Sequence, residues 1–384
     1  MPLKSIALLL ASAAAVAGAC AAESEKEDKE IAAMLAAFPK WSASTSLDVA
    51  YGYRDNLLLS AFDEEGSAFA RGVAELMLLR VPTGKLEYSF FIQGERTHFL
   101  RGETVENEAS AWAQSELGWR FLDSLRVGLP IIGHYTDRVF DVSNSSVEEE
   151  RGIAELSVRG AILAPVLKWN FLPSWWVEAQ ASGERKRYRD GSNDSVVGEG
   201  DVRLGWIRGE RLEVRLTGTR RWREYEHRLL KSAVGRDRPD TVLRISEQEV
   251  QARVDVGWDK ANRWRTNTSV SLLHYRDSGV GYYNYREQRV EHELEWTGER
   301  WLIGVRGAAS RQDFAVRTVD ATDGGERPLR VRDEYSASLS VERTLSPHWT
   351  ALGSYRWERS RSNDFYAGYR VNEGLLGLRW SWDK

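Results

Sequence analysis

The chain has 384 residues and a formal net charge of -4, with a sequence pI of about 6.0, so its composition does not favour a nucleic-acid partner. A single cysteine excludes an internal disulfide framework, and beyond the N-terminal segment no run of eighteen apolar residues predicts a membrane helix. The mean hydropathy is -0.48, yet the chain contains 16 Trp and 14 Tyr. This combination is typical of a membrane β-barrel, in which a polar interior dilutes the apolar exterior.

The N-terminus predicts export. In residues 1–19, Lys4 precedes an apolar stretch that is too short to span a bilayer and ends in small residues with the A-x-A pattern of a secretory signal peptide. Cys20 follows directly and resembles a bacterial lipoprotein processing site, which would make it a lipidated first residue. The alternative is plain signal cleavage without lipidation.

Residues 20–43 predict a charged periplasmic tether with a short helix. The segment begins with a run of Glu, Lys and Asp, and apolar residues then recur with helical spacing until Pro39 ends the pattern. An alternative is that residues 23–40 form a plug inside a barrel, and it is less favoured because eighteen residues would fill little of a large lumen.

From residue 44 to residue 382 the sequence predicts a chain of β-strands. Residues 290–296 alternate strictly between apolar side chains and glutamates, a short Gly-containing link follows, and residues 301–309 alternate again. A period of two with such a link is typical of a β-hairpin. The same pattern recurs often enough to predict about sixteen strands, with 14 or 18 as alternatives because the strand at 73–79 is weak.

The connections between these strands alternate in length. Tight turns, such as 297–299, alternate with long polar loops, such as 227–242, as expected for an up-and-down barrel with short periplasmic turns and long outer loops. The predicted fold is therefore an all-β, transmembrane, antiparallel up-and-down barrel. Such a barrel closes on itself because lipid offers no partner to an unpaired sheet edge.

The apolar parity of each strand is predicted to face lipid. In the sixth strand we assign this parity to 156, 158, 162, 164 and 166, and Pro130 and Pro165 predict a bulge or an early strand end. Tryptophans on the apolar parity cluster beside the tight turns and predict an aromatic girdle at one membrane interface. The predicted girdle consists of Trp175, Trp206, Trp258, Trp264, Trp296, Trp301, Trp349, Trp380 and Trp382.

The last strand carries a resemblance to a known class. The segment "LLGLRWSWDK" at 375–384 resembles the C-terminal signal of Gram-negative outer-membrane barrels, although Asp383 and Lys384 follow the terminal aromatic, and "YGYRDNLLLS" at 51–60 resembles the first hairpin of uncharacterised porin-like barrels. The resemblance implies location in the bacterial outer membrane, contact with its lipid and lipopolysaccharide, and recognition of the last strand by the barrel-assembly machinery. In general porins the third long loop constricts the pore, and here that loop is the acidic segment 137–150.

The opposite parity is charged and is predicted to line the lumen. Basic and acidic strands alternate around residues 263–342, where charges on neighbouring strands can pair. The predicted lumen-lining residues are Glu213, Arg215, Arg221, Glu249, Arg253, Asp255, Arg263, Arg265, Glu291, Glu293, Glu295, Arg300, Arg306, Glu334 and Glu342.

These features favour a channel for small hydrophilic solutes over an enzyme. Of the six histidines, only His134 is predicted to point inward, near Asp137, and no metal-ligand cluster or cofactor motif is present in the sequence. Alternatives are a polysaccharide-export barrel and a non-conducting structural or adhesin barrel. The basic loop at 227–242, with Arg228, Lys231, Arg236 and Arg238, is predicted either to contact lipopolysaccharide or to be solvated.

Overall fold

The computed structural model describes residues 40–60, 64–80, 84–141, 153–189, 191–319, 327–364 and 367–383. The predicted signal peptide, Cys20 and nearly all of the predicted tether lie outside these residues, as does most of the acidic third loop. Within the described residues, no helix is long and apolar enough to cross a membrane.

Seventeen strand segments account for most of the described chain. They are β1 (Trp41–Arg54), β2 (Ser67–Arg80), β3 (Leu86–Phe99), β4 (Asn107–Leu122), β5 (Leu125–Asp141), β6 (Ile153–Leu163), β7 (Val166–Leu172), β8 (Trp175–Tyr188), β9 (Ser195–Arg208), β10 (Leu212–Tyr225), β11 (Arg244–Gly257), β12 (Trp264–Asp277), β13 (Tyr285–Thr297), β14 (Trp301–Thr318), β15 (Leu329–Ser346), β16 (Trp349–Ser362) and β17 (Tyr369–Asp383). The first strand begins at Trp41, three residues before the predicted start of the barrel at residue 44.

The strands form one closed antiparallel sheet in chain order. Except for β6 and β7, each strand pairs with its neighbours in sequence, and β1 pairs with both β2 and β17, so the sheet has no free edge. The segments β6 and β7 lie end to end, since both pair with β5 and both pair with β8. They therefore occupy one strand position, and the predicted barrel of sixteen strands is confirmed.

Pro165 causes the interruption between β6 and β7, and no bulge accompanies it. Leu163 pairs with Ile131 before the gap and Val166 pairs with Gly128 after it, so the register with β5 is the same on both sides. Pro165 has no N–H to donate, but its carbonyl still accepts a hydrogen bond from Ala181 N at 3.1 Å. The predicted strand end at Pro165 is thus present and the predicted bulge is not. Pro130 lies within β5, which is continuous.

The convex face of the barrel is apolar. Its side chains stand exposed along every strand, for example Leu47, Leu216 and Leu376, as is expected where lipid rather than water covers the surface. The predicted face of the sixth strand is wrong. Leu163 and Leu167 are exposed there, whereas Ala164, on the predicted lipid-facing parity, is buried. The alternation misled because at 161–163 both parities are apolar, and nearer the outer rim the apolar Val158 stands on the lumen parity.

The connections follow the predicted two-rim arrangement. One rim carries 81–85, 123–124, 173–174, 209–211, 258–263, 298–300 and 347–348, and the other carries 55–66, 100–106, 142–152, 189–194, 226–243, 278–284, 319–328 and 363–368. The two sets differ in length overall, although 258–263 is as long as 189–194. Each girdle tryptophan lies at or near a strand end on the first rim, and two neighbouring pairs are in ring contact, Trp175 with Trp206 at 6.3 Å and Trp264 with Trp296 at 6.1 Å.

Candidate functional site

The concave face of the barrel is identified by side chains that reach across more than one strand. Arg54 on β1 forms an ion pair at 3.2 Å with Glu108 on β4, three strand positions away. Neighbouring strands are about 4.8 Å apart, so these two backbones are separated by roughly 14 Å along the sheet. Side chains converge across such a distance only on the concave side. The face that carries Arg54 and Glu108 is therefore the lumen face.

The pairing register places the predicted lumen residues of the strands on this same face. Glu213 lies opposite Asp255, Arg215 lies opposite Arg253, and the register continues in this way from strand to strand. Arg263 and Arg300 lie in the turns that precede β12 and β14. The arrangement agrees with a charged wall, although its role in transport is a proposal taken up below.

The charges on this wall are braced in two ways. Some pairs form within one strand, two residues apart, such as Arg215 with Glu213 at 2.7 Å and Arg253 with Asp255 at 3.1 Å. Others cross between strands, such as Arg306 with Glu291 at 2.8 Å. The sequence pattern suggested pairing only between neighbouring basic and acidic strands. The pairs within a strand arise because residues two apart share a face.

Further charged residues on the lumen face lie outside the predicted set. Arg126 contacts Glu87 at 2.7 Å and Glu116 at 2.6 Å, which joins β3, β4 and β5 near the short-turn rim. Arg203 contacts Glu178 at 2.5 Å on the neighbouring strand. All of these residues stand on the parity opposite to the apolar one, which was the signal available in the sequence.

His134 does point into the lumen, but its partner is not the predicted Asp137. Its Nε2 atom lies 2.7 Å from Glu184 Oε1, and its ring stacks on Trp112 with centroids 6.2 Å apart. Asp137 accepts a hydrogen bond from Tyr135 on the convex parity. The described residues contain no group of three or more His, Cys, Asp or Glu side chains arranged to hold a metal ion.

Two tryptophans face the lumen, in contrast to the girdle tryptophans. Trp112 stacks on His134, and Trp176 is buried beneath two cations, with Lys168 at 4.6 Å and Arg215 at 5.4 Å from its ring. Trp176 also occupies the space above Gly205, where a Cβ atom would lie 2.1 Å from the indole. A glycine opposite a tryptophan therefore marks a position where a large ring lies flat against the wall.

At the long-loop rim, two clusters of loop residues pack against the lumen face. The first mouth cluster consists of Leu57, Leu58, Phe69, Phe99 and Val105. The second mouth cluster consists of Tyr225, Leu230, Leu243, Ile245, Tyr275 and Tyr283.

Both clusters fold inward, because they include strand residues of the lumen parity. In the first, Phe69 and Phe99 come from β2 and β3, and in the second, Tyr225, Ile245 and Tyr275 come from β10, β11 and β12. These groups of strands lie about half the circumference apart in the strand order. The loops 55–66 and 100–106 therefore approach the lumen from one side, and the loops 226–243 and 278–284 approach from the other.

The basic residues of the loop 226–243 divide into two sets. Arg228 and Lys231 are buried, with Lys231 paired to Asp237 at 2.7 Å, whereas Arg236 and Arg238 are exposed. Only the exposed pair remains available for the predicted contact with solvent or lipopolysaccharide.

Comparison with known proteins shows likeness of fold. No family model matches the chain, and no curated protein sequence matches it. OccAB1 of Acinetobacter baumannii is 9% identical with a TM-score of 0.49, over 89% of this chain and 96% of that chain. A loop-deletion variant of OmpT, an outer membrane protein of Vibrio cholerae, is 10% identical with a TM-score of 0.45, over 90% and 100% of the two chains. OpdQ of Pseudomonas aeruginosa is 7% identical with a TM-score of 0.46, over 89% and 98%.

The class of protein follows from the closed sheet and its two faces. A closed barrel has no edge, so its strands can hydrogen-bond all of their backbone N–H and C=O groups to one another within lipid. An apolar convex face and a charged concave face then suit a protein with lipid outside and a polar interior. This chain is an outer-membrane β-barrel, and it resides in the outer membrane of Gram-negative bacteria.

Proposed function

We propose that this barrel is a passive channel for small hydrophilic solutes. The observation that carries the proposal is the chemistry of the concave face, which is lined with charged side chains and small polar ones instead of an apolar core. Barrels of sixteen strands are wide enough to leave an aqueous channel. A hydrated polar wall offers such a solute hydrogen bonds in place of those it loses to bulk water.

The wall also leaves open space on one side. Lumen-parity positions of β14 and β15 carry small side chains, among them Ala308, Ser310, Ser336, Ser338 and Ser340. Paired arginines and carboxylates flank these small residues, such as Arg306 with Glu291, and their mutual pairing reduces the cost of exposing each charge to a passing solute of either sign. This balance supports a channel of weak selectivity, with the predicted lumen residues as its wall.

We infer no catalytic step for this chain. The His134–Glu184 contact lacks a nucleophilic side chain among its described partners, and proton transfer alone defines no reaction. The outer-membrane lipid surrounds the convex face, and we propose that the barrel-assembly machinery recognises β17, which carries the C-terminal aromatic pattern.

Single-channel conductance of the folded full chain in a planar bilayer tests the proposal. We expect stable steps whose current is proportional to voltage, together with a reversal potential close to zero in a salt gradient. A heat-unfolded sample of the same preparation is the control. Gel mobility before and after heating verifies that the protein is folded. If folded protein shows no conductance, the channel is contradicted and the non-conducting or export barrel is favoured.

A further inference from the structure

The convex face of β10–β13 changes from apolar to polar along one row of the register. Arg220 on β10 lies opposite Gln248 on β11. Gln248 in turn lies opposite His274 on β12, and His274 lies opposite Arg286 on β13. Directly opposed residues of antiparallel strands have Cβ atoms about 4.5–5.5 Å apart, so the four side chains form a continuous polar row.

This row lies where the apolar belt of a membrane barrel ends. Trp264 at the short-turn rim and His274 are on the same face of β12, ten residues apart along the strand. A rise of about 3.4 Å per residue and a tilt of roughly 40° place His274 about 26 Å above Trp264. The apolar band of outer-membrane barrels is about 25 Å tall. The row therefore stands at the headgroup level of the outer leaflet, beside the long loops.

An open groove lies directly beneath the row. Its volume is about 560 Å³, and its lining includes Gly200, Gly218, Val202, Val250 and Leu272. Gly218 has no atom within 4 Å of the position a Cβ would take, and the nearest atom at Gly200 is 4.0 Å away. The two glycines thus form a shallow floor, and the three exposed aliphatic side chains form its walls. The groove has the chemistry of an acyl-chain contact.

The polar row above the groove is cationic. Arg220 and Arg286 of this row are exposed on the convex face, and so is Arg276, which stands two residues beyond His274 on β12 with its Nε 3.1 Å from His274 Nε2. In the part of the chain that the structure describes, none of these three guanidinium groups forms an ion pair. The acidic residue nearest along β10 on this face, Glu224, is paired with Arg244 at 2.8 Å. The row therefore presents a net positive surface to whatever lies against it.

We propose that this groove and its arginine row bind a lipopolysaccharide molecule of the outer leaflet. One acyl chain lies over Gly200 and Gly218 between the aliphatic walls, and the phosphate groups of the glycolipid contact Arg220, Arg276 and Arg286. Guanidinium groups suit phosphate because their planar N–H donors pair with two oxygens at once. The assignment concerns the convex wall, so it is independent of conduction through the lumen.

Native mass spectrometry of the full chain in detergent, with added diphosphorylated lipid A, tests the site. We expect one lipid A bound in preference to phosphatidylglycerol, and weaker binding of dephosphorylated lipid A. The triple change Arg220→Gln, Arg276→Gln and Arg286→Gln should weaken lipid A binding at least tenfold. Gly218→Leu, which fills the floor, should weaken binding of both forms of lipid A.

Matched controls lie elsewhere on the same surface. Arg359→Gln with Arg361→Gln removes two outward arginines from β16, and Gly133→Leu fills an open convex glycine on β5; both should leave lipid A binding unchanged. Heat-modifiable gel mobility verifies that each variant is folded. Equal binding of lipid A by the wild type and the triple variant, or equal binding of lipid A and phosphatidylglycerol by the wild type, would overturn the assignment.

Discussion

The two mouth clusters narrow the same opening from opposite sides, but they are held by different forces. The first is a compact apolar cluster beneath the loops 55–66 and 100–106, and the second is built around tyrosines and one arginine beneath the loops 226–243 and 278–284. Apolar burial depends on many small contacts, whereas in the second cluster the guanidinium of Arg228 lies against two tyrosine rings. We therefore expect one substitution to loosen the second side of the mouth more readily than the first.

The first mouth cluster is anchored to the wall by fully buried rings. Phe69 and Phe99 contact edge to face, with centroids 5.8 Å apart, and the Phe69 ring fills the space above Gly52, where a Cβ would lie 2.4 Å from it. The backbone of the loop is also tied down, because Leu57 N donates to Glu65 O at 2.7 Å and the Asn56 amide donates to Ser60 O at 2.7 Å.

The second mouth cluster is held by Arg228. Its guanidinium lies 5.4 Å from the Tyr225 ring and 5.2 Å from the Tyr283 ring, and Nη2 donates to the Tyr283 hydroxyl at 3.1 Å. Tyr225 belongs to the wall, whereas Arg228 and Tyr283 belong to two different loops. One side chain therefore joins both loops to the barrel.

The largest effect should come from Phe69→Ala. The ring is 1% exposed, and deletion of a buried phenylalanine costs about 3–5 kcal/mol in lost transfer free energy and the cavity that remains. We expect a loss of this size in the free energy of unfolding, measured by urea titration of the barrel refolded in lipid vesicles.

The control for this change is Phe121→Ala. Phe121 is half-exposed on the lipid face, so its truncation creates no internal cavity and should cost clearly less than Phe69→Ala. Equal losses of unfolding free energy for the two variants would show that burial of Phe69 in the first mouth cluster stabilises the barrel no more than an exposed phenylalanine does.

A smaller effect on stability, but a visible one on the loops, should come from Arg228→Met. Methionine keeps the length of the side chain but loses two cation–π contacts, each worth about 0.5–2 kcal/mol. A loss of about 1–4 kcal/mol raises the released fraction of the loops at least about fivefold. We expect faster tryptic cleavage after Lys231 and Arg236, the sites that this variant retains, and noisier single-channel current, with little change in global unfolding.

Arg236→Met is the matched control for that experiment. Arg236 lies in the same loop but is exposed, so its loss removes one cleavage site without releasing the loop. If Arg228→Met leaves the cleavage rate at Lys231 and the current noise as in the wild type, the arginine does not hold the second mouth cluster.

Much of the barrel could be predicted because lipid imposes one rule on every strand. Where one parity is apolar and the other charged, as at Val290 to Trp296, the alternation gave the strand and its face together. The sixth strand shows the limit of this rule. There Ile162 and Leu163 are both apolar, so only the register with β5 decides which of them faces lipid.

The mouth clusters could not be predicted in the same way. Loop residues such as Leu230 and Leu243 carry no periodicity, and their contacts depend on which strands the closed sheet brings together. Arg228 looked like one of four similar basic residues in its loop. Its separate role depends on contacts with Tyr225 and Tyr283, which are 58 residues apart in the sequence, so the sequence pattern of the loop alone does not reveal it.

Next to each mouth cluster an arginine bridges two carboxylates, and substitution at these bridges gives the smallest expected effect on stability. Arg54 contacts Glu373 at 2.7 Å and Glu108 at 3.2 Å, and Arg221 contacts Glu247 at 3.0 Å and also Glu199. Arg221 is 40% exposed, twice the 20% of Arg54, so its pairs are more strongly screened by water.

Arg221→Ala should therefore change selectivity more clearly than stability. We expect a loss below about 1 kcal/mol in unfolding free energy. Removal of one positive charge leaves Glu199 and Glu247 to attract cations by at most about 1 kcal/mol at contact distance in water, which limits the gain in cation-to-anion permeability to roughly fivefold. The reversal potential in a KCl gradient measures this gain. Arg359→Ala removes the same charge from the convex face and should leave the potential unchanged, so equal shifts in the two variants would show that the bridge beneath the second mouth cluster does not face the path of the ions.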